Sequence, residues 1–222
     1  MLCSIALIST SCAGISQYTH PPFQKIFSID TAVTQQILEV VASGKNTFEA
    51  TVTAWTYTGN TWHKAFGPWP AVIGRNGLAP SGEKREGDGR TPSGIYAIGT
   101  AFGAAEKFDT GLAYQQTTDD DIWIDDSASI QYNRWVKLPT DATSYEKMRR
   151  DDGLYDLGAV IEYNTDPVAP GYGSAIFIHI WRDNGQKPTA GCVALERKHL
   201  QDLLKWLKKT HSPAILIQYN HI

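Results

Sequence analysis

AIFIHIWRDNGQKPTAGCVAL, residues 175–195, combines an apolar run, a loop of turn formers and a cysteine directly after a glycine. The run 175–181 is short and rich in β-branched and aromatic residues, which predicts a strand. Side chains alternate along a strand. Ile176, Ile178 and Ile180 therefore form one aliphatic face that belongs in a core. Ala175, Phe177, His179 and Trp181 form the other, where a cleft is expected. Asp183, Asn184, Gly185 and Pro188 in the following loop favour turns for different physical reasons, so the chain doubles back toward the strand end. Gly191 permits a positive φ or a close backbone approach. A glycine beside a nucleophile also leaves its amide open to an oxyanion. His179 and Cys192 lie thirteen positions apart, a separation that a strand, a loop and a return can bridge.

Thiolate rather than thiol is the nucleophile, and an ordinary cysteine, with a pKa of about 8.5, is mostly protonated near neutrality. A neighbouring imidazole removes that proton or holds the thiolate as an ion pair. The same imidazole can then protonate a leaving amine. Taken singly, each residue has a plainer reading. A lone cysteine packs as a small buried hydrophobe, and a strand histidine is commonly a hydrogen-bonded structural residue. On the residues alone both readings stand.

Working outward, residues 47–57 and 61–69 read as strands around the hairpin signal Thr58-Gly59-Asn60, and Ala71 opens a third. His63 is expected at the surface. Residues 74–94 form a long Gly-rich loop whose Lys84, Arg85 and Arg90 are candidates to meet a substrate carboxylate. It is not a phosphate loop, because no Gly-Lys-Ser/Thr follows. A strand is expected at 94–98. The acidic run TDDDIWIDD, 118–126, reads as a solvated loop, 144–150 as a short helix and 157–163 as a strand. Leu200, Leu203, Leu204 and Leu207 recur at helical spacing with lysines opposite them, which predicts an amphipathic helix over 196–209 before a closing strand at 213–219. Near the start, Asp30 is a candidate N-cap for a helix over 31–43. Val33, Ile37, Val40 and Val41 would form its apolar face and Gly44 its stop. Cys192 has no CxxC partner and His179 no HxxxH, so no zinc site is read.

The 222 residues suffice for one sizeable core, and a formal charge of −3 carries no nucleic-acid footprint. Seven Trp and ten Tyr suit either β-sheet faces or a peptide or carbohydrate cleft. MLCSIALISTSCAG, residues 1–14, is apolar, uncharged and ends in small residues. It is too short to span a bilayer and resembles the apolar part of a signal peptide. Cys12 is a candidate for lipidation and hence for a membrane anchor in the cell envelope. With Cys3 and Cys12 in that leader, Cys192 is the one cysteine left to a mature domain, which then has no internal disulfide.

TAGCVAL, preceded by IFIHIW, resembles the active-site signature of the L,D-transpeptidases of the YkuD-like family, a histidine followed by Ser/Thr-x-Gly-Cys. GRNGLAPSGEKREGDGRTPSGIY is similar to that family's Gly- and Pro-rich segment, and with SIQYNRWV and DDGLYDLGAVIEYNT the likeness spans roughly residues 50–218. The resemblance implies a mostly β fold with flanking helices, a catalytic domain of sandwich or barrel-like build. Residues 1–16 are then the leader, 17–45 a linker with an N-terminal helix, and 46–222 the catalytic domain. Cys192 is implied as the nucleophile, His179 as the general acid and base, and Gly191 as a backbone element of the oxyanion hole. Thr189, Trp181, Arg182 and Arg90 stand as candidate substrate contacts. No metal or cofactor is implied. The implied partner is a peptidoglycan stem peptide, whose acyl group passes through a thioester to an amine. Passage to water instead gives an L,D-carboxypeptidase or amidase. A non-catalytic cell-wall binding module is the alternative of another class. The chain departs from the common pattern at Ala190, where many members have histidine, and at Ala194, where many have arginine or asparagine.

Overall fold

The computed structural model describes residues 29–220, so the leader with Cys12 and most of the expected linker lie outside the described residues. The chain runs through β1 (Gln36–Ala42), β2 (Glu49–Thr58), β3 (Thr61–Val72), the short β4 (Leu78–Ala79) and β5 (Thr91–Pro92), then β6 (Gly94–Gly103) and β7 (Tyr114–Gln116). It continues through β8 (Asp121–Ile124), β9 (Trp135–Lys137), β10 (Tyr145–Lys147), β11 (Leu157–Ile161), β12 (Phe177–Ile180), β13 (Val193–Leu195), α1 (Arg197–Trp206) and β14 (Ala214–Tyr219). Nine strands form one sheet in the order β11-β12-β13-β3-β2-β1-β14-β6-β7, and β11 also pairs with β6, so the sheet closes on itself. Closure pairs strand edges that would otherwise be exposed. Inside lie Leu38, Val40, Val52, Ile178, Ile180, Val193 and Ile215, and the apolar stripe of α1 adds Leu200, Leu203 and Leu204. The mostly β, barrel-like fold agrees with the expectation.

The hairpin forms as read, with Thr58 facing Thr61 across its turn. β3 runs on unbroken to Val72, so the third strand expected from Ala71 is part of the second. His63 is exposed. α1 keeps the predicted stripe but ends at Trp206.

The helix expected over 31–43 is instead one turn followed by β1. Asp30 caps that turn: its Oδ1 accepts the Ala32 N–H at 3.0 Å, and its carbonyl accepts from Val33 and Thr34. The turn does not propagate, because β1 is drawn between β14 and β2 and is buried on both faces. A strand buried on both faces shows an apolar run without alternation, which periodicity cannot separate from a helix. The sheet therefore begins ahead of residue 46.

A second sheet, β10-β8-β9, replaces both the short helix expected at 144–150 and the solvated loop expected at 118–126. All of β8 is buried. Asp121 tolerates burial because its carboxylate accepts from the Thr118 N–H and hydroxyl at 2.7 Å each and from Trp135 Nε1 at 2.9 Å. Buried Asn133 ties this sheet to the segment before β12. Its Oδ1 accepts from Trp123 Nε1 at 2.8 Å and the Ala175 N–H at 3.1 Å, while its Nδ2 donates to the Tyr163 and Asn164 carbonyls. The small sheet thus becomes a roof over one face of β12.

Candidate active site

β12 and β13 run parallel, with His179 opposite Ala194. Cys192 lies two residues before Ala194 and therefore shares its face, so Cys192 and His179 are diagonal neighbours on adjoining strands. Both line one cavity of about 280 Å³. The Cys192 Sγ accepts the Phe177 N–H at 3.3 Å, and its S–H donates to the Ala175 carbonyl at 3.3 Å. Ala175 holds a φ of +53°, a strained conformation for a residue with a Cβ, and one that tends to persist beside functional groups. His179 Nδ1 lies 2.8 Å from the Ile180 carbonyl. A carbonyl only accepts, so Nδ1 carries the hydrogen and Nε2 is the basic nitrogen.

The face expected to be open is roofed. Phe177 is fully buried and His179 is 6 % exposed. Phe102, Trp123, Met148, Tyr155, Val160, Phe177 and Cys192 form a second apolar cluster beneath the small sheet. That burial sets the electrostatics. Desolvation, followed by the charge of Glu146, pushes the Cys192 thiol up to about 12. Desolvation pulls His179 down to about 4, against the pull of its bond to Ile180. The resting pair is a neutral thiol and a neutral imidazole rather than a preformed ion pair.

This burial has a consequence for stability. In the unfolded chain a histidine takes up a proton near pH 6.5, whereas His179 in the fold does so only near 4. Its contribution is present above about 6.5 and is lost as the pH falls through about 4, over a window worth about 3 kcal/mol. Urea unfolding between pH 7 and pH 4 is expected to show an acid-side loss that His179→Gln lacks. Equal slopes in the two proteins would mean that the histidine titrates as it does in water.

A family model described as the L,D-transpeptidase catalytic domain, YkuD, matches residues 32–216. The chain belongs to this family. Domains of the L,D-transpeptidase family are typically cell-envelope enzymes acting on peptidoglycan peptides. The crystal structure of the helical cell shape determining protein Pgp2 from Campylobacter jejuni is similar at 16% identity and a TM-score of 0.44, covering 86% of this chain and 49% of that one. The chain therefore spans about half the length of that protein. No curated protein matches it. Among the described residues no helix is long and apolar enough to cross a membrane.

Within this L,D-transpeptidase domain the residues singled out from the sequence part company. Gly191, at φ +154°, is required for space as well as conformation: a Cβ there would stand 2.9 Å from the Arg90 carbonyl. Arg90 meets the site through that backbone, and its side chain is not among the cavity's lining. Thr189 closes the turn before the cysteine, its Oγ1 accepting the Gly191 N–H at 3.1 Å and donating to the Cys192 carbonyl at 2.7 Å. Arg182 lines the cavity and donates to Asp152 at 3.0 Å. Trp181 does not line it; its ring packs over Gly185 in the loop after β12. Lys84 reaches the cavity but is bound to Asp88 at 2.7 Å, and Arg85 stacks over Tyr172.

Among the wall residues that escaped the sequence reading are Glu146, Arg150 and Tyr155. Arg150 grips Asp152 through two bonds of 3.0 and 2.6 Å, which holds that carboxyl at about 2. Tyr155 lies inside DDGLYDLGAVIEYNT, so its segment was visible while its role was not.

Proposed function

We propose that this protein is a cysteine-dependent L,D-transpeptidase of the cell envelope, acting on peptidoglycan stem peptides. The observation that carries this reading is that the Cys192 sulfur and the His179 imidazole share one face of β12 and β13 and line the same cavity. In the first step His179 Nε2 takes the thiol proton as Sγ attacks the amide carbonyl. The imidazole becomes charged only as the sulfur bonds to carbon, and the negative charge appears on the carbonyl oxygen, so the step does not depend on a standing thiolate. The Gly191 N–H is already given to Thr189, so the oxyanion falls to the Cys192 N–H among the donors of this turn. The protonated imidazole then hands its proton to the leaving amine, which departs and leaves a thioester. An acceptor amine attacks the thioester, His179 takes a proton from it, and the thiol is released.

Water in place of the amine gives the carboxypeptidase or amidase reaction on the same site. Export and a lipid anchor at Cys12 complete the proposal. The test is intact-protein mass spectrometry after mixing with a tetrapeptide-stem muropeptide, with and without an acceptor amine. A Cys192 acyl adduct that the amine discharges into a crosslinked product is expected. A protein that binds murein yet never acquires an adduct or alters the muropeptide would be a binding module instead.

A further inference from the structure

Glu146 and Tyr155 are titratable groups of the cavity that these steps leave unused. Tyr155, in the segment between β10 and β11, is 5% exposed. Its ring meets His179 at 5.1 Å and Phe177 at 5.6 Å, both edge-on. Its hydroxyl donates to the Glu146 carboxylate at 2.9 Å, and its side chain packs with Cys192 in the second apolar cluster, where the hydroxyl favours the thiolate. Glu146 is delivered from β10, opposite Trp123 of β8, into the cavity that Cys192 lines. A hydroxyl between a carboxylate and a sulfur has one proton to give. While Glu146 is ionised, the carboxylate takes it, and the sulfur is left facing a negative neighbour.

Burial pushes the Glu146 carboxyl up while its bond from Tyr155 and the Arg150 charge favour ionisation, and the other charges around it offset the effect on Cys192 only in part. Asp125 and Glu86, also on the cavity wall, carry the same sign. Arg150 lies over the Tyr155 ring at 5.1 Å but is committed to Asp152. Lys84 favours the Cys192 thiolate, but it is paired with Asp88 and weighs less on the sulfur than Glu146 does. His179 is neutral at rest. In a buried site a like charge weighs against forming a second one.

We propose that Glu146, acting through the Tyr155 hydroxyl, is a positioning residue that keeps Cys192 in its resting thiol form, and that removing the Glu146 charge arms the nucleophile. With Glu146 neutral, the Tyr155 proton is free to turn toward the sulfur, where an O–H donor favours thiolate. The resting thiol resists oxidation, because it is the thiolate that oxidants attack. The proposal rests on Cys192 being the nucleophile.

The test is the rate of Cys192 alkylation by iodoacetamide as a function of pH, read by intact mass on the native protein without substrate. Glu146→Gln keeps the shape and an acceptor for Tyr155 but removes the charge. Its alkylation is expected to run about tenfold faster than wild type on the rising limb, the equivalent of one pH unit. Glu146→Asp, which restores the charge, is expected to return the profile toward wild type. Tyr155→Phe, which leaves the carboxylate facing the sulfur unscreened, is expected to move the profile to higher pH, and it carries the test if Glu146→Gln does not fold. Unchanged profiles in the folded variants, with Cys192 still alkylated in the native protein, overturn the role of Glu146 and leave the nucleophile standing. A Cys192 that alkylates only after unfolding overturns the nucleophile, and this role with it.

Discussion

Cys192→Ala is expected to abolish muropeptide turnover, by about 10⁴-fold or more, while the protein still folds. The sulfur is the only atom in the cavity that the proposed chemistry makes covalent, so no neighbour substitutes for it. The structural cost is smaller. Removing Sγ leaves the Phe177 N–H without its acceptor and opens a small void in the second apolar cluster. Losses of this kind cost about 1–3 kcal/mol, or roughly 2–4 °C in Tm per kcal/mol for a chain of this size. Chromatographic assay of muropeptide products beside a thermal melt separates the two effects. A folded Cys192→Ala protein that retains more than a hundredth of wild-type turnover would place the nucleophile elsewhere.

The second large effect is at His179. Both His179→Ala and His179→Gln are expected to cut turnover by about 10²–10⁴-fold through loss of the acid and base. They are expected to differ in stability. If the histidine lay on an open face, alanine would cost the fold nothing. In the structure His179 is 6 % exposed, donates to the Ile180 carbonyl and carries the edge of Tyr155. Alanine therefore removes a buried hydrogen bond and leaves a void, at about 2–4 kcal/mol. Glutamine keeps a side-chain donor and more of the volume, and is expected to recover part of that loss without recovering turnover. Urea unfolding and product assay on both variants check this. A His179→Gln protein active within tenfold of wild type would remove the histidine from the chemistry.

The parts of this domain that were legible in the sequence are those whose signal is local. The alternation in 175–181 fixes which face of β12 carries His179, because a strand has a period of two whatever surrounds it. The glycine before Cys192, the turn at Thr58-Gly59-Asn60 and the leucine stripe of α1 are equally local: each is a requirement of backbone conformation or helical spacing. The family signature around Cys192 lies in the same contiguous stretch. Tertiary structure decided the rest. β1 is a strand because β2 and β14 bury both of its faces, and its apolar run is compatible with a helix until those neighbours arrive. Asp121 is buried because Thr118 and Trp135 bond to it. Glu146, Arg150 and Tyr155 join the site because Asn133 and the aromatic cluster seat the small sheet over β12. The charge states of Cys192 and His179 follow from that roof. Sequence shows which residues can exchange a proton, but the solvent the assembled fold excludes determines where the proton rests.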